Sequence, residues 1–318
     1  MSKQILLIES DTSKKLKFTN SNFVLYDEEK KKIILQHSCH KIFAIFVLGD
    51  CSITSVLIKN AKKYAFPITF LTFSLKPYFT IGADNKGNVL LRRKQYDSSK
   101  DLELAKHIVS NKVQNQVFLM NSLRYKTKEE KENIAKVNEI ILQVKQCPTD
   151  KELLGLEGNA AKLYFSTYLK NIGFKGRRPR SKEDVCNLLF DIGYYYLYNF
   201  IEANLELYGF DIYAGFYHKY FFQRKSLVCD IIEPFRCIID KRIKTGYNLK
   251  QINEEDFYEK AGQFYVKKDF SKKYAQFFLK EILNYKEEIF LYIQQYYRAL
   301  MKEKKIEEFP LFLMGEKK

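Results

Sequence analysis

Residues 209–240, GFDIYAGFYHKYFFQRKSLVCDIIEPFRCIID, combine a histidine and two acids with basic, apolar and aromatic neighbours. His218 is one of four histidines in the chain, and Asp230 and Glu233 follow it at a spacing of i, i+3. Pro234 favours a helix start near the two acids, because proline is tolerated in the first turn and clashes deeper inside a helix. Residues three apart share a helix face, so the stretch predicts part of a cation site.

The composition favours a polyanionic partner. The chain has 54 Lys and Arg against 38 Asp and Glu, which gives a formal net charge of +16 and a pI near 9.3. A surplus of this size attracts nucleic acid or an anionic membrane. The alternative is that many lysines simply lie on solvated helix faces, such as those in residues 126–136. The length of 318 residues fits two domains better than one.

Membrane insertion, secretion and a zinc ribbon are all disfavoured. Apolar runs fall short of the roughly 20 residues that span a bilayer, and the first eleven residues carry acids without a small-residue cleavage site. The six cysteines form no CxxC pair, which is typical of reduced thiols in a cytoplasmic protein. In a strand, the two histidines of HSCH at 37–40 would point to opposite faces, so an ordinary strand is favoured over a metal site there.

Residues 1–97 are predicted to form a β-rich domain. Short apolar runs between turn-like segments are typical of strands, and they recur at Ile5–Ile8, Phe23–Tyr26, Ile33–Leu35, Ile42–Leu48, Ile68–Phe73 and Val89–Leu91. The segment ADNKGN at 83–88 is a predicted hairpin tip. One helix is predicted after Ser52, and LLRRKQY is predicted to end a strand with its basic residues.

Residues 98–318 are predicted to be helical. A Ser or Thr followed three residues later by an acid is the pattern of a capping box at a helix start, and it occurs at Thr127, Thr149 and Ser181. The helix after Ser181 is long and apolar, stops near Gly209 and is predicted to be the central core helix of the second domain. The predicted fold class is therefore α+β.

Glu157 is the candidate for a third ligand of the cation site. Gly155 and Gly158 flank it, and because glycine costs about 1 kcal/mol in a helix interior, they suggest close backbone approach. Glu157 shares a helix face with Ala161 and Tyr164, where a buried acid requires a partner or a metal. The alternative is that Glu157 caps the positive end of a helix.

The two ends of the opening stretch also have ordinary interpretations. His218 can be a hydrogen-bonded histidine in an aromatic loop, and the acid pair can simply form ion pairs with Arg236. An acid, a histidine and a second acid on separate apolar elements of a basic chain nevertheless fit hard-cation chemistry on nucleic acid phosphates. Carboxylates with one imidazole favour Mn²⁺ or Mg²⁺ over Zn²⁺.

Four segments of the sequence carry a resemblance to a known family. In order and spacing they resemble motifs of the CRISPR-associated integrases that capture new spacers, the Cas-one family; the segments are GLEGNAAKLYF at 155–165, RRPRSKEDVCNLL at 177–189, GFDIYAGFYH at 209–218 and SLVCDIIEPFR at 226–236. The resemblance covers nearly the whole chain. It implies an N-terminal β-sandwich-like domain over 1–97, for dimerisation and partner docking, and a larger all-α catalytic domain over 98–318.

The resemblance also implies the roles of the site residues. The family's metal ligands fall on Glu157, His218 and Glu233, and Asp230 matches a nearby acid that supports the site. The implied reaction is metal-assisted transesterification, in which a 3′-hydroxyl of foreign DNA attacks a phosphodiester at the edge of the CRISPR repeat. The implied partners are double-stranded DNA, a second copy of the chain, and a dimer of a small Cas-two family protein that bridges two such homodimers.

Eight basic residues are candidates for contacts to DNA phosphates, which set affinity and register rather than sequence choice. They are Arg92, Arg93, Arg177, Arg178, Arg180, Arg224, Lys225 and Arg236. The alternative for each is a solvated or salt-bridged surface charge, and Arg236 can also orient a carboxylate. Two other functions remain open at this point: a non-catalytic nucleic-acid-binding scaffold, and a structure-selective nuclease that does not integrate.

Overall fold

A computed structural model describes residues 3–81, 87–98, 101–172, 174 and 176–315 of the chain. The chain forms two units, of which the first comprises residues 1–89 with 202–210 and the second comprises residues 90–201 with 211–318. Strands dominate the first unit and helices dominate the second. This confirms the predicted α+β class, in which a strand-rich region precedes a larger helical region.

The first unit contains two four-stranded sheets and a short helix. Its elements are β1 Gln4–Ser10, β2 Lys14–Thr19, β3 Asn22–Asp27, β4 Lys32–Ser38, β5 Ile42–Gly49, β6 Ser52–Ile53, α1 Ser55–Lys63, β7 Ile68–Leu71 and β8 Pro77–Ile81. The strand orders are β1-β5-β7-β8 and β4-β3-β2-β6. Strands β1, β5 and β7 are parallel neighbours, whereas β8 pairs antiparallel with β7.

A single apolar core joins the two sheets of the first unit. Phe23 and Leu25 of β3 pack in the same cluster as Ile45 and Val47 of β5, and Leu57 of α1 belongs to it as well. Residues two apart in a strand point to the same face, so one face of each sheet is directed into the shared core. This arrangement is the predicted β-sandwich-like architecture.

The segment that was predicted to end a strand with its basic residues is instead a helix, α2 Val89–Asp97. A short apolar run does not distinguish a strand from a buried helix turn, and tertiary contacts decide here. Gln95 is fully buried and donates to the backbone oxygens of Asp211 and Ala214. From Leu90 onward, α2 belongs to the second unit. Residues 83–86 of the predicted hairpin tip lie outside the described residues.

The remaining elements belong mainly to the second unit. They are α3 Leu102–Asn121, α4 Lys128–Gln146, α5 Asp150–Tyr168, α6 Val185–Glu206, α7 Ser226–Ile232, a 3-10 turn over Glu233–Phe235, α8 Arg236–Asn248, β9 Phe257–Lys260, β10 Gln263–Val266, α9 Ser271–Asn284 and α10 Lys286–Met301. The hairpin of β9 and β10 interrupts the helices and was not predicted. Within the described residues, no helix is long and apolar enough to cross a membrane.

Two of the three predicted helix starts are correct. Thr127 forms a complete capping box with Glu130, and the Thr149 side chain accepts a hydrogen bond from the Glu152 amide. The third helix, α6, begins at Val185, four residues after Ser181. Its capping residue is Asp184 rather than Ser181, because the Asp184 side chain accepts a hydrogen bond from the Asn187 amide in the first turn, at 2.6 Å. The last five residues of α6 belong to the first unit.

The C-terminal strap, residues 309–314, is attached to α3 by side-chain to backbone hydrogen bonds. Asn111 donates to the Phe312 oxygen at 2.7 Å and accepts from the Phe312 amide at 3.0 Å. His107 Nε2 lies 2.9 Å from the Pro310 oxygen. The Asn111 side chain of α3 therefore both donates to and accepts from the backbone of the strap at Phe312.

Asn115, one helical turn further along α3, links the strap to the 3-10 turn. Its side-chain amide donates to the oxygens of Phe312 and Pro234 at 2.8 and 3.2 Å, and its oxygen accepts from the Met314 amide at 2.8 Å. The Phe312 ring also packs 4.5 Å from the Phe235 ring. The position of the turn that carries Glu233 thus depends on α3 and on the strap.

We expect Asn115→Ala to lower the free energy of unfolding by about 2 to 3 kcal/mol, because it leaves buried backbone groups without partners. Urea unfolding followed by circular dichroism measures the change. Asn138→Ala is the matched control, since Asn138 is exposed on α4 and donates only to the Ile134 oxygen; it should change the value by less than about 0.5 kcal/mol. Equal losses in the two variants would contradict this role for Asn115.

Candidate active site

Glu157 is presented by the middle of α5. The helix buries Leu153, Ala160 and Tyr164, a stripe at helical spacing, and Glu157 lies beside this stripe. Its side chain is 14% exposed. At Gly155 and Gly158 an added Cβ would meet nothing within 4 Å. Within the described chain, therefore, no other segment approaches either glycine closely.

A lysine from α3 brings Glu157 and Glu233 together. The Lys112 ammonium lies 2.5 Å from Oε1 of Glu157 and 2.7 Å from Oε2 of Glu233. The Glu233 side chain is 4% exposed. Burial disfavours the charged lysine, but the two carboxylates outweigh it and raise the pKa of Lys112. Two acids that are 76 positions apart in the sequence thus share one cation.

Glu233 is held ionised by its basic neighbours. Arg236 Nε lies 3.0 Å from Glu233 Oε2, and its guanidinium also lies 4.6 Å from the centre of the Tyr194 ring. Burial opposes ionisation, yet Arg236 and Lys112 together bring the pKa of Glu233 well below its ordinary value. Both contacts are ion pairs to the same oxygen, Oε2 of Glu233.

Asp230 is fully buried and organises the loop that carries His218. Its Oδ2 accepts from the amides of Phe216 and Tyr217 at 2.5 and 3.0 Å, and its Oδ1 accepts from the His218 amide at 2.8 Å. The His218 Nδ1 lies 2.6 Å from the same Oδ1. At Gly215 a Cβ would lie 2.7 Å from Asp230 Oδ2, so the loop packs this closely only because the residue is glycine.

The two acids of the opening stretch have different partners. Asp230 lies in α7 and faces the loop, whereas Glu233 begins the 3-10 turn that leads into α8 and faces Lys112 and Arg236. Pro234 occupies the first turn of this 3-10 segment. The helical backbone begins at Ser226, before both acids, and continues through Glu233 into α8. The two acids therefore differ in the partners that they contact.

Tyr217 connects the histidine loop to α5. Its hydroxyl donates a short hydrogen bond to Oε2 of Glu157, and its ring lies 5.1 Å from the imidazole of His218. Burial, reinforced by the Glu157 carboxylate, raises the pKa of Tyr217. The phenol therefore remains a donor and holds Oε2 of Glu157, while Lys112 contacts Oε1.

The donor set is chemically suited to a hard cation, although it is not assembled as a ligand cage. Two carboxylates point at one cation, and Glu233 and His218 line the same cleft. Carboxylate oxygens with an imidazole suit Mg²⁺ or Mn²⁺. Within the described residues, no three His, Cys, Asp or Glu side chains converge as a metal cluster, and this includes HSCH at 37–40.

Glu233 and Lys112 line a large basic cleft of the second unit, and Glu157 contacts the same Lys112. The cleft measures about 1810 Å³, well above the roughly 300–1,000 Å³ of small-molecule pockets. Of the eight predicted phosphate contacts, five line it: Arg177, Arg180, Arg224, Lys225 and Arg236. Lys112, Lys162 and Lys182 line it too and were not predicted. A cleft of this size and charge is suited to a polymer rather than to a small ligand.

The other predicted phosphate contacts lie elsewhere, and one of the five has a second role. Arg92 and Arg93 lie on α2, and Arg178 forms an ion pair with Glu183 at 2.7 Å. Arg177 is 14% exposed and lies 2.5 Å from Asp191. Its charge is therefore largely used within the protein.

Lys112 and Tyr217 are the site residues that the sequence analysis missed. Lys112 interrupts an otherwise buried segment of α3, between Asn111 and Val113, and a lysine among buried positions is a signal for a paired charge. Tyr217 stands directly before His218, but a tyrosine in an aromatic loop carries no such signal.

Fold and cleft together define a two-unit α+β protein in which one acid of a lysine-bridged pair, Glu233, lines a basic cleft. The family model of CRISPR associated protein Cas1 matches residues 7–280. A relative from Chlorobaculum tepidum, CRISPR-associated endonuclease Cas1 1, is 32% identical over 260 residues, which cover 76% of this chain and 75% of the relative. A relative of the same name from Thermodesulfovibrio yellowstonii is 29% identical over 238 residues, 70% and 75% of the two chains. The chain belongs to the Cas1 family of CRISPR-associated proteins.

Solved structures share the fold at low sequence identity. A chain of a partial Cas6-RT-Cas1–Cas2 complex has a TM-score of 0.84 at 17% identity, with 99% of this chain and 100% of that chain covered. A casposase bound to its integration product has a TM-score of 0.71 at 19% identity, with 96% of each chain covered. These similarities extend the fold assignment to nearly the full length.

Asp240, one turn beyond Arg236 on α8, is a buried acid of the cleft that the sequence analysis did not single out. The hydroxyls of Tyr194 and Tyr164 donate to it at 2.5 and 2.8 Å. Burial raises its pKa to about 6, although the two hydroxyl donors act in the opposite direction. The folded protein therefore retains this proton to a higher pH than an unfolded chain does.

We expect the contribution of Asp240 to stability to be complete below about pH 4 and to be lost as the pH rises through about 6. Asp240→Asn does not ionise, so its stability relative to wild type should increase between pH 4 and pH 7, by at most about 3 kcal/mol. Urea unfolding of both proteins across this range measures the difference. Asp97→Asn, at an exposed acid of α2, is the control, and an equal slope in both variants would contradict the assignment.

Proposed function

We propose that this protein is a DNA endonuclease and integrase that inserts foreign DNA fragments into a CRISPR array as new spacers. The reaction is the attack of a 3′-hydroxyl on a phosphodiester at the edge of the repeat. Family membership supports the proposal, as do relatives named CRISPR-associated endonuclease and the shared fold of a casposase bound to its integration product. The observation that carries it is the pairing of Glu157 and Glu233 around one ammonium, that of Lys112, which lines a basic cleft.

The proposed cofactor is Mg²⁺ or Mn²⁺, with Glu157, His218 and Glu233 as its ligands. When bound, such an ion polarises a phosphoryl oxygen and helps to orient the attacking and leaving oxygens. His218 suits this role because Asp230 engages Nδ1, so the tautomer that donates from Nδ1 has its lone pair on Nε2.

Asp230 is proposed to support the site without binding the ion directly. Both of its oxygens already accept hydrogen bonds from the loop at 216–218. Tyr217 and Arg236 have comparable roles, since the first holds Glu157 and the second compensates the charge of Glu233. Residues that orient ligands in this way typically matter by about 10- to 100-fold in metal affinity or activity.

The phosphate contacts are proposed to come mainly from the cleft. Arg180, Arg224 and Lys225 line it, so they are the favoured members of the predicted set, together with the unpredicted Lys162 and Lys182. Arg92, Arg93 and Arg178 remain candidates for more distant contacts to a long duplex. Arg177 is the least suited, because Asp191 already neutralises it.

The proposed partners are double-stranded DNA, a second copy of this chain and a dimer of a small Cas-two protein that bridges two such homodimers. A structurally similar chain comes from a complex that contains Cas2, and another similar structure is a Cas1–DNA complex. Light scattering on the purified chain, alone and with the Cas-two protein, distinguishes a monomer, a dimer and the bridged assembly.

We expect Glu157→Gln and Glu233→Gln to lower strand transfer by at least about 100-fold while DNA binding is retained, because each removes an ion-facing carboxylate and leaves the basic cleft intact. A labelled fragment with a free 3′-hydroxyl, a repeat-containing plasmid and Mn²⁺ provide the assay. Circular dichroism verifies folding.

Glu152→Gln is the control for this experiment, because Glu152 is exposed in the first turn of the same helix. It should transfer strands as wild type does. Wild-type activity in Glu157→Gln, or full activity in the presence of a chelator, would refute the proposed metal site. DNA binding without strand transfer in wild type would favour a non-catalytic scaffold. Cut ends without joined strands in wild type would favour a nuclease that does not integrate.

A further inference from the structure

The position between the two carboxylates is taken by a side chain of the protein itself. Nζ of Lys112 lies within 2.7 Å of both Glu157 Oε1 and Glu233 Oε2. The lysine and Glu157 side chains are each 14% exposed, and that of Glu233 is 4% exposed. A cation bound by both carboxylates would have to take the place of this ammonium.

The lysine has an electrostatic task at this position. Two carboxylates that face one another across a buried site repel strongly unless a cation separates them. Removal of one partner from a buried ion pair leaves an uncompensated charge. The Lys112 ammonium supplies the positive charge that compensates both acids. Arg236 contacts Glu233.

Lys112 is also the more displaceable of the two cations. Arg236 is anchored twice, by Glu233 and by the Tyr194 ring. Lys112 carries its charge on a flexible four-carbon chain, and an ammonium is a point charge without the fixed fork of a guanidinium. Its stem lines the open cleft, so the head group can leave the carboxylates without unfolding α3.

We propose that the Lys112 ammonium is the resident cation of the site in the metal-free protein and that a divalent ion displaces it on binding. This inference rests on the proposed metal-dependent function. The affinity of the site for the divalent ion is then lowered by the free energy needed to move the Lys112 ammonium away from the two carboxylates. Once displaced, Lys112 faces the cleft, where a phosphate of bound DNA replaces the carboxylates as its partner.

The test is the binding of Mn²⁺ to Lys112→Met, a variant with a side chain of similar length and no charge. Isothermal titration should show Mn²⁺ binding at least about fivefold tighter than in wild type. Fivefold is the lower end of the change in affinity that one bound group typically causes for another. The metal-free variant should melt at a lower temperature than metal-free wild type. Mn²⁺ should raise the melting temperature of the variant by more than it raises that of wild type.

Lys162→Met is the matched control, because Lys162 is an exposed lysine that lines the same cleft from α5. Its Mn²⁺ affinity should stay near that of wild type, so a general change in cleft charge is distinguished from displacement of one lysine. Equal tightening in both variants would overturn the proposal, as would unchanged or weaker binding to Lys112→Met.

Two further outcomes are informative. If Lys112→Met folds only when Mn²⁺ is present, the ion has replaced the lysine as the compensating charge, which supports the proposal; failure to fold even with Mn²⁺ would overturn it. If wild type and Lys112→Met both bind no Mn²⁺, the proposed metal site itself fails. Binding by wild type without tightening in the variant refutes only the role of Lys112.

Discussion

The arrangement of the helical unit depends on one electrostatic constraint: two buried carboxylates share a site and require a cation. Glu157 and Glu233 approach the same ammonium within 2.7 Å, and Arg236 adds a second positive charge beside Glu233. In a poorly solvated site, an uncompensated acid pair costs several kcal/mol. The surrounding helices are therefore placed so that bases reach these acids, which explains why Lys112 is tolerated in the buried part of α3.

The supports of the site come from elements that are distant in sequence. Asn115 ties the 3-10 turn of Glu233 to α3 and to the C-terminal strap, and Asp230 fixes the loop that carries His218. Tyr217 then links that loop to Glu157 on α5. Each support uses a hydrogen bond between different elements, so the site is a property of the packed helical unit and not of any one motif.

The basic surplus of the chain divides into two kinds of charge. Some arginines and lysines compensate buried acids, as Arg177 does for Asp191 and Lys112 does for the acid pair. Others, such as Arg180 and Arg224, line the cleft and are available to a polyanion. The net charge of +16 is therefore a poor guide to any single residue, because only packing distinguishes a structural cation from a phosphate contact.

Periodicity and capping patterns alone determined the α+β class, five of the eight strands of the first unit and the starts of α4 and α5, because these depend on residues that are adjacent in sequence. Local sequence patterns gave the wrong prediction at α2, where they indicated a strand. Hydrogen bonds from Gln95 to a loop more than 100 residues away favour a helix there. Motif spacing singled out Glu157, His218, Asp230 and Glu233. Only the tertiary structure shows that Asp230 and Glu233 have different partners and that Lys112 lies between Glu157 and Glu233. Contacts between elements that are distant in sequence produce no periodic pattern from which they can be predicted.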